Sequence, residues 1–189
     1  MRNRILNDLS YSGKVKLSVQ QDGQIIKTKE LHNSGTSQLF SFFAYCLSGD
    51  FEEASLYRPA KVRLLKVNIN EVTGEEIELL AASGLVYLRS KPERVINKEL
   101  DGETVKLSFM IPRSMIETTD FNRIALYPQY VGDADLDSYS AFCDLSGTDD
   151  LGINVYTDWS LSSVLLIDWE LTISNKIVRI KDEETGGSY

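Results

Sequence analysis

The stretch Val164-Leu165-Leu166-Ile167-Asp168-Trp169-Glu170-Leu171-Thr172-Ile173-Ser174 decides how the rest of the chain is read. Leu165, Ile167, Trp169, Leu171 and Ile173 share one parity, while Asp168, Glu170, Thr172 and Ser174 share the other. Leu166 is the exception. A period of two marks a strand with one face in a core and one in water. Working outward, Val15, Leu17 and Val19 alternate with Lys16 and Ser18 in the same way. Asp22-Gly23 follows as a hairpin turn, since both residues tolerate positive φ, and Ile25 to Leu31 is the returning strand. A second hairpin runs from Arg94 to Leu100, turns at Asp101-Gly102 and returns from Thr104 to Ile111, where Pro112 ends it. Further strands are predicted at Leu85–Arg89, Asn122–Tyr127, Tyr139–Leu145 and Asn154–Trp159. Val62 and Leu64 share one parity and Leu65, Val67 and Ile69 the other, which predicts a β-bulge near Leu64-Leu65.

One segment reads as a helix. Asn33 to Ser37 offers N-caps, Leu39, Phe43, Cys46 and Leu47 recur at helical spacing, and Gly49 is placed to end it. Phe40 and Phe42 widen its apolar face, which predicts a helix packed under the sheets. With about nine or ten strands and no regular alternation of helices, the fold class is all-β. The expected architecture is an antiparallel β-sandwich, jelly-roll-like, with one short packed α-helix. It divides into an N-terminal arm over 1–12, the β-sandwich domain over 13–180 and an acidic C-terminal tail over 181–189.

Composition narrows the function. The chain has 189 residues, with 20 Lys+Arg against 28 Asp+Glu, a net charge of −8. Its 42% hydrophobic and 25% charged fractions suit a globular domain. So acidic a balance is wrong for gripping a phosphate backbone, and no direct nucleic-acid contact is expected. No apolar run has the length of a signal peptide or a membrane span, so synthesis in the cytoplasm and no membrane contact are expected. One histidine, His32, and two cysteines, Cys46 and Cys143, exclude most His-rich and Cys-rich metal sites. His32 reads as a polar residue in a strand-to-helix corner. The cysteines read as reduced core thiols, with a disulfide between them left open.

Each candidate for chemistry has a plainer reading. The chain has no G-x-S-x-G elbow, no P-loop and no H-E-x-x-H. Asp168 and Glu170 share a strand face, near enough to work together as a glycosidase pair, but nothing local desolvates either, so a solvated sheet face is expected. Asp133, Asp135 and Asp137 alternate like the start of a calcium loop, with Asp144 at the twelfth position. However, Ser138 stands where such a loop needs glycine, and the stretch reads as an acidic surface loop continued by Asp149-Asp150. Trp169 is assigned to the core. Tyr156 and Trp159 are candidates for a rim contact with sugar or protein. No cofactor and no catalysis are expected.

Three segments carry a resemblance. Leu31-His32-Asn33-Ser34-Gly35-Thr36 runs into Leu39-Phe40 and on to Leu47-Ser48-Gly49. Asn122-Arg123-Ile124-Ala125-Leu126-Tyr127 follows, and Leu166-Ile167-Asp168-Trp169-Glu170-Leu171-Thr172-Ile173-Ser174-Asn175 closes the set. In this order they resemble motifs of accessory virion proteins of tailed bacteriophages. The resemblance implies a non-enzymatic structural component of the virion, assembling as repeated copies in the neck or tail or on the capsid. Its partners would be other copies of itself and neighbouring virion proteins. The alternative is a carbohydrate- or receptor-binding β-sandwich module that meets a host glycan through Tyr156 and Trp159.

Overall fold

The structure is a computed structural model and describes residues 4–82, 86–97, 102–116, 121–131, 138–145 and 160–180, with side chains for all of these but 4–10, 96–97 and 175–180. Ten strands and two α-helices are described: β1 (Arg4–Gln21), β2 (Gln24–Gly35), α1 (Ser37–Ser48), α2 (Phe51–Tyr57), β3 (Pro59–Ile69), β4 (Glu76–Leu80), β5 (Val86–Tyr87), β6 (Glu93–Asn97), β7 (Gly102–Pro112), β8 (Arg123–Pro128), β9 (Ala141–Asp144) and β10 (Val164–Ile180). Every described strand pairing is antiparallel. The chain is all-β with short helices, as its alternation predicts.

The strands follow one hydrogen-bonded path, β4-β3-β8-β9-β2-β1-β10-β7-β6, with β5 also on β3. A narrow seam, Ser34↔Phe142 and Gly35↔Ala141, joins its two halves. Both halves feed one core. Val15, Leu17 and Val19 of β1, Leu107, Phe109 and Ile111 of β7, and Leu165, Ile167 and Trp169 of β10 cluster with Val62, Leu64, Ile124 and Leu126 of β3 and β8. The hairpin from β1 to β2 turns at Asp22 (φ 50°) and Gly23 (φ 81°), as Asp-Gly predicts. Gly13 in β1 is needed for close approach. A Cβ there would overlap the Asn33 side chain, whose Nδ2 donates to Tyr11 Oη at 2.7 Å.

Several expectations change. The bulge predicted at Leu64-Leu65 is absent, and the β3–β8 register runs unbroken from Lys61 to Leu65, with its shift at Pro59/Lys61 instead. Both parities of β3 are apolar because both its faces are covered. Val62 and Leu64 enter the main core, while Leu65 joins a second cluster with Ala125, Tyr127 and Val131.

Helix α1 spans the predicted residues and stops at Gly49 (φ 78°), but it is not packed under the sheets. Leu39 is buried and Phe42 and Phe43 touch the core, whereas Phe40 and Leu47 face solvent, Leu47 at 81% exposure. Its N-cap Thr36 makes no side-chain cap because its hydroxyl bonds the Tyr139 and Ser140 carbonyls. Cys46 is correspondingly exposed, while Cys143 is buried, and both are free thiols. Helix α2 was not expected. Asp50 caps it by accepting from Glu53 N at 3.2 Å. His32 sits within β2 and is exposed, not in a corner. The stretch expected as an arm enters β1 at Arg4.

Candidate functional site

The outward face of β2, β1, β10, β7 and β6 is a charge lattice set by register. One row reads His32, Lys14, Glu170, Lys106, Glu93 across five strands, and the next reads Glu30, Lys16, Asp168, Ser108. Opposite charges face each other across strands, which favours this register over a one-residue slip. Lys14 Nζ meets Glu30 Oε2 at 2.5 Å, Lys106 Nζ meets Glu170 Oε1 at 2.9 Å, and Ser108 Oγ donates to Asp168 Oδ1 at 2.7 Å. Asp168 and Glu170 are therefore tied to separate partners on β7. These residues line a groove of ≈ 440 Å³ with no aromatic side chain in its wall, so it offers no platform for stacking a sugar ring.

The opposite end of the sheet is organised around Arg123 on β8, which is 4% exposed. Its Nε donates to Asp144 Oδ1 at 2.6 Å, and its Nη1 to Glu76 Oε2 and Glu78 Oε1 at 2.7 Å each. The guanidinium lies over the Phe142 ring at 4.5 Å. Tyr139 Oη accepts from Nη1 and donates to Glu78 Oε1, each at 3.1 Å. Burial opposes the charge on Arg123, but hydrogen bonds to Asp144, Glu76 and Glu78 outweigh it and hold the group firmly protonated. Burial, then the negative Glu78, pushes the Tyr139 phenol up to about 12. Burial likewise pushes the Cys143 thiol up to about 12. Two of the three carboxylates belong to β4. The alternation Glu76-Ile77-Glu78-Leu79-Leu80 was the signal in the sequence that could have found that strand.

A third feature is backbone alone. β1 and β10 pair from Arg4↔Ile180 to Gln20↔Val164. Pairing of β1 with β2 ends at Gly13↔Asn33, and pairing of β10 with β7 ends at Ser174↔Gly102. The six pairs from Arg4↔Ile180 to Leu9↔Asn175 thus have no third strand among the described residues.

The calcium candidates Asp133, Asp135 and Asp137 and the contact candidates Tyr156 and Trp159 lie outside the described residues. Asp144, counted toward that acidic loop, is bound to Arg123. Trp169 is fully buried, as assigned. Among the described residues no cluster of His, Cys, Asp and Glu has the makings of a metal site, and no helix is long and apolar enough to cross a membrane. No family model, no curated protein and no solved structure matches the chain.

Proposed function

We propose that this chain is a non-enzymatic structural component of a tailed-bacteriophage particle, acting as repeated copies in the neck or tail or on the capsid. The β1–β10 ribbon carries the reading. Its six two-stranded pairs reach about 20 Å beyond the neighbouring strands. A two-stranded ribbon is marginal in water by itself, and its edges, unpaired among the described residues, offer N–H and C=O groups to a neighbouring chain. Such a part belongs between copies rather than in bulk solvent. On a symmetric particle, many weak contacts of this kind add through effective concentration. The setting comes from the resemblance at Leu31–Thr36, Asn122–Tyr127 and Leu166–Asn175. On this reading the protein is made in the host cytoplasm and ends in the virion, with its own copies and adjoining virion proteins as partners. Quantitative mass spectrometry of purified particles tests it. The expected result is the intact chain at a fixed multiple of the portal or capsid subunit. Absence from the particles overturns the reading.

A further inference from the structure

The β4 edge carries an inference that deepens the reading above and rests on it for its setting. β4 ends the described sheet, with β3 on its inner side and no described strand on its outer side. The ladder parity follows from its two ends, where Asn70 N bonds Glu75 O at 2.8 Å and Ala81 N bonds Leu64 O at 3.0 Å. Bonded pairs alternate in an antiparallel ladder, so Ile77 and Leu79 also bond inward to β3. The main-chain groups of Glu76, Glu78 and Leu80 therefore point outward. Side chains sort the other way. Glu76 and Glu78 lie on the Arg123 face and are ion-paired there. Ile77 and Leu79 lie on the other face, at 47% and 48% exposure.

We propose that β4 pairs antiparallel with β4 of a second copy about a two-fold axis at Glu78. That register makes Glu78 face Glu78 and Glu76 face Leu80 as hydrogen-bonded pairs, about six bonds in all. It uses every outward main-chain group of the strand. It also sets Ile77 directly opposite Leu79 of the second copy, twice, so four apolar side chains close into one cluster on one face. A register shifted by one residue loses this match, and a shift by two leaves outward groups unpaired at both ends. Each juxtaposed Glu78 is paired with its own Arg123, which offsets part of the repulsion; the charge left over, one guanidinium against three carboxylates in each copy, is screened by salt. At long range two copies of charge −8 repel. Association therefore strengthens as salt rises.

Light scattering on the full chain at about 0.3 M salt, where the Debye length is about 6 Å, reads the equilibrium over a range of concentrations. The expected mass climbs from 21.3 kDa toward twice that value. Ile77→Lys and Leu79→Lys each weaken association by about tenfold, with unchanged circular dichroism. Register is read by disulfide trapping in a Cys46→Ser background. A mixture of Ile77→Cys and Leu79→Cys chains cross-links, because that pair is about 4.5 Å apart between Cα atoms. Either chain alone does not, its like positions being about 7–8 Å apart. A chain that stays monomeric throughout, or dimers indifferent to both lysines, overturns the proposal. Equal trapping in the single-variant samples overturns its register. Loss of the β4 contact in a chain still present in particles overturns this interface and leaves the virion role standing. A β4 dimer of a chain absent from particles does the reverse.

Discussion

The described sheet ends in two edges that are built differently. β6 is entered through Lys91-Pro92, and its first residues, Glu93 and Arg94, place charge on successive and therefore opposite faces. Proline supplies no donor, and an approaching strand meets charge on either side. Arg94 bonds Glu103 of β7, yet it stays 67% exposed and hydrated. β4 has as many charges as β6 shows in its first two residues, but both are glutamates on one face, drawn onto Arg123. Its other face is left to Ile77 and Leu79. The difference teaches that counting charged residues does not grade an edge strand. Charge protects an edge when it stands in water on both faces. Once a buried cation has gathered it to one face, the edge is open.

The sharpest way to break the comparison is to remove that cation. Arg123→Met leaves Glu78, only 12% exposed, without its counter-ion. Stripping one partner from a buried charge cluster costs about 3–5 kcal/mol. The urea midpoint should fall accordingly with an unchanged slope. Arg123→Lys should recover little, because one ammonium cannot reproduce the fork that spans Asp144, Glu76 and Glu78. A midpoint that hardly moves in Arg123→Met would mean that the cluster does not organise this edge.

Alkaline pH acts next. Tyr139 and Cys143 hold their protons to about 12 in the folded state, against ordinary values of 10.0 and 9.0. Folded pKa values above the unfolded ones mean that the folded chain binds more protons in between. The stability they contribute is complete below about pH 9 and is lost as pH climbs toward about 12. Tyr11, burial-shifted to about 12 where it meets Asn33, adds in the same direction. Urea midpoints should be flat from neutral pH up to the ordinary thiol value and then decline. Tyr139→Phe should flatten part of the decline. An identical alkaline profile in that variant would remove Tyr139 from the account.

The same contrast explains what could be read without a structure. β10, β1 and the Asp22-Gly23 hairpin were legible because alternation and turn chemistry are local. β4 was not. Its alternation is brief, and the group that makes sense of its glutamates, Arg123, lies 45 and 47 residues away in sequence. On β3, a switch of apolar parity carries two meanings, a bulge or a strand covered on both faces. The pattern along one strand does not say what lies against it. On α1, helical spacing identified the apolar stripe correctly but not its cover, so Leu47 and Cys46 are exposed where burial was expected. Asp50 and Glu53, the N-cap of α2 and a residue of its first turn, form a legible capping signal for a helix that no apolar periodicity announces. His32 lost its corner because β2 continues to Gly35. Of the surfaces, the charge face of β10 could be read and the open edge could not, since an edge is defined by absent neighbours.

The smallest expected effect lies at the protected edge. Arg94 and Glu103 form an exposed pair, and water and salt screen such pairs so that they contribute little. Arg94→Ala should therefore move the urea midpoint little and leave the mass by light scattering as in the parent. The informative variant goes further and replaces both charges, Glu93→Val with Arg94→Val. If hydrated charge on both faces is what closes β6, this chain gains an adhesive edge at the end of the sheet path opposite β4. Two different edges on one molecule make contacts that need not close, so the chain should pass from dimers to larger, concentration-dependent species. If it keeps the parent's mass, Pro92 and the short length of β6 are sufficient protection, and the exposed charges add solubility alone.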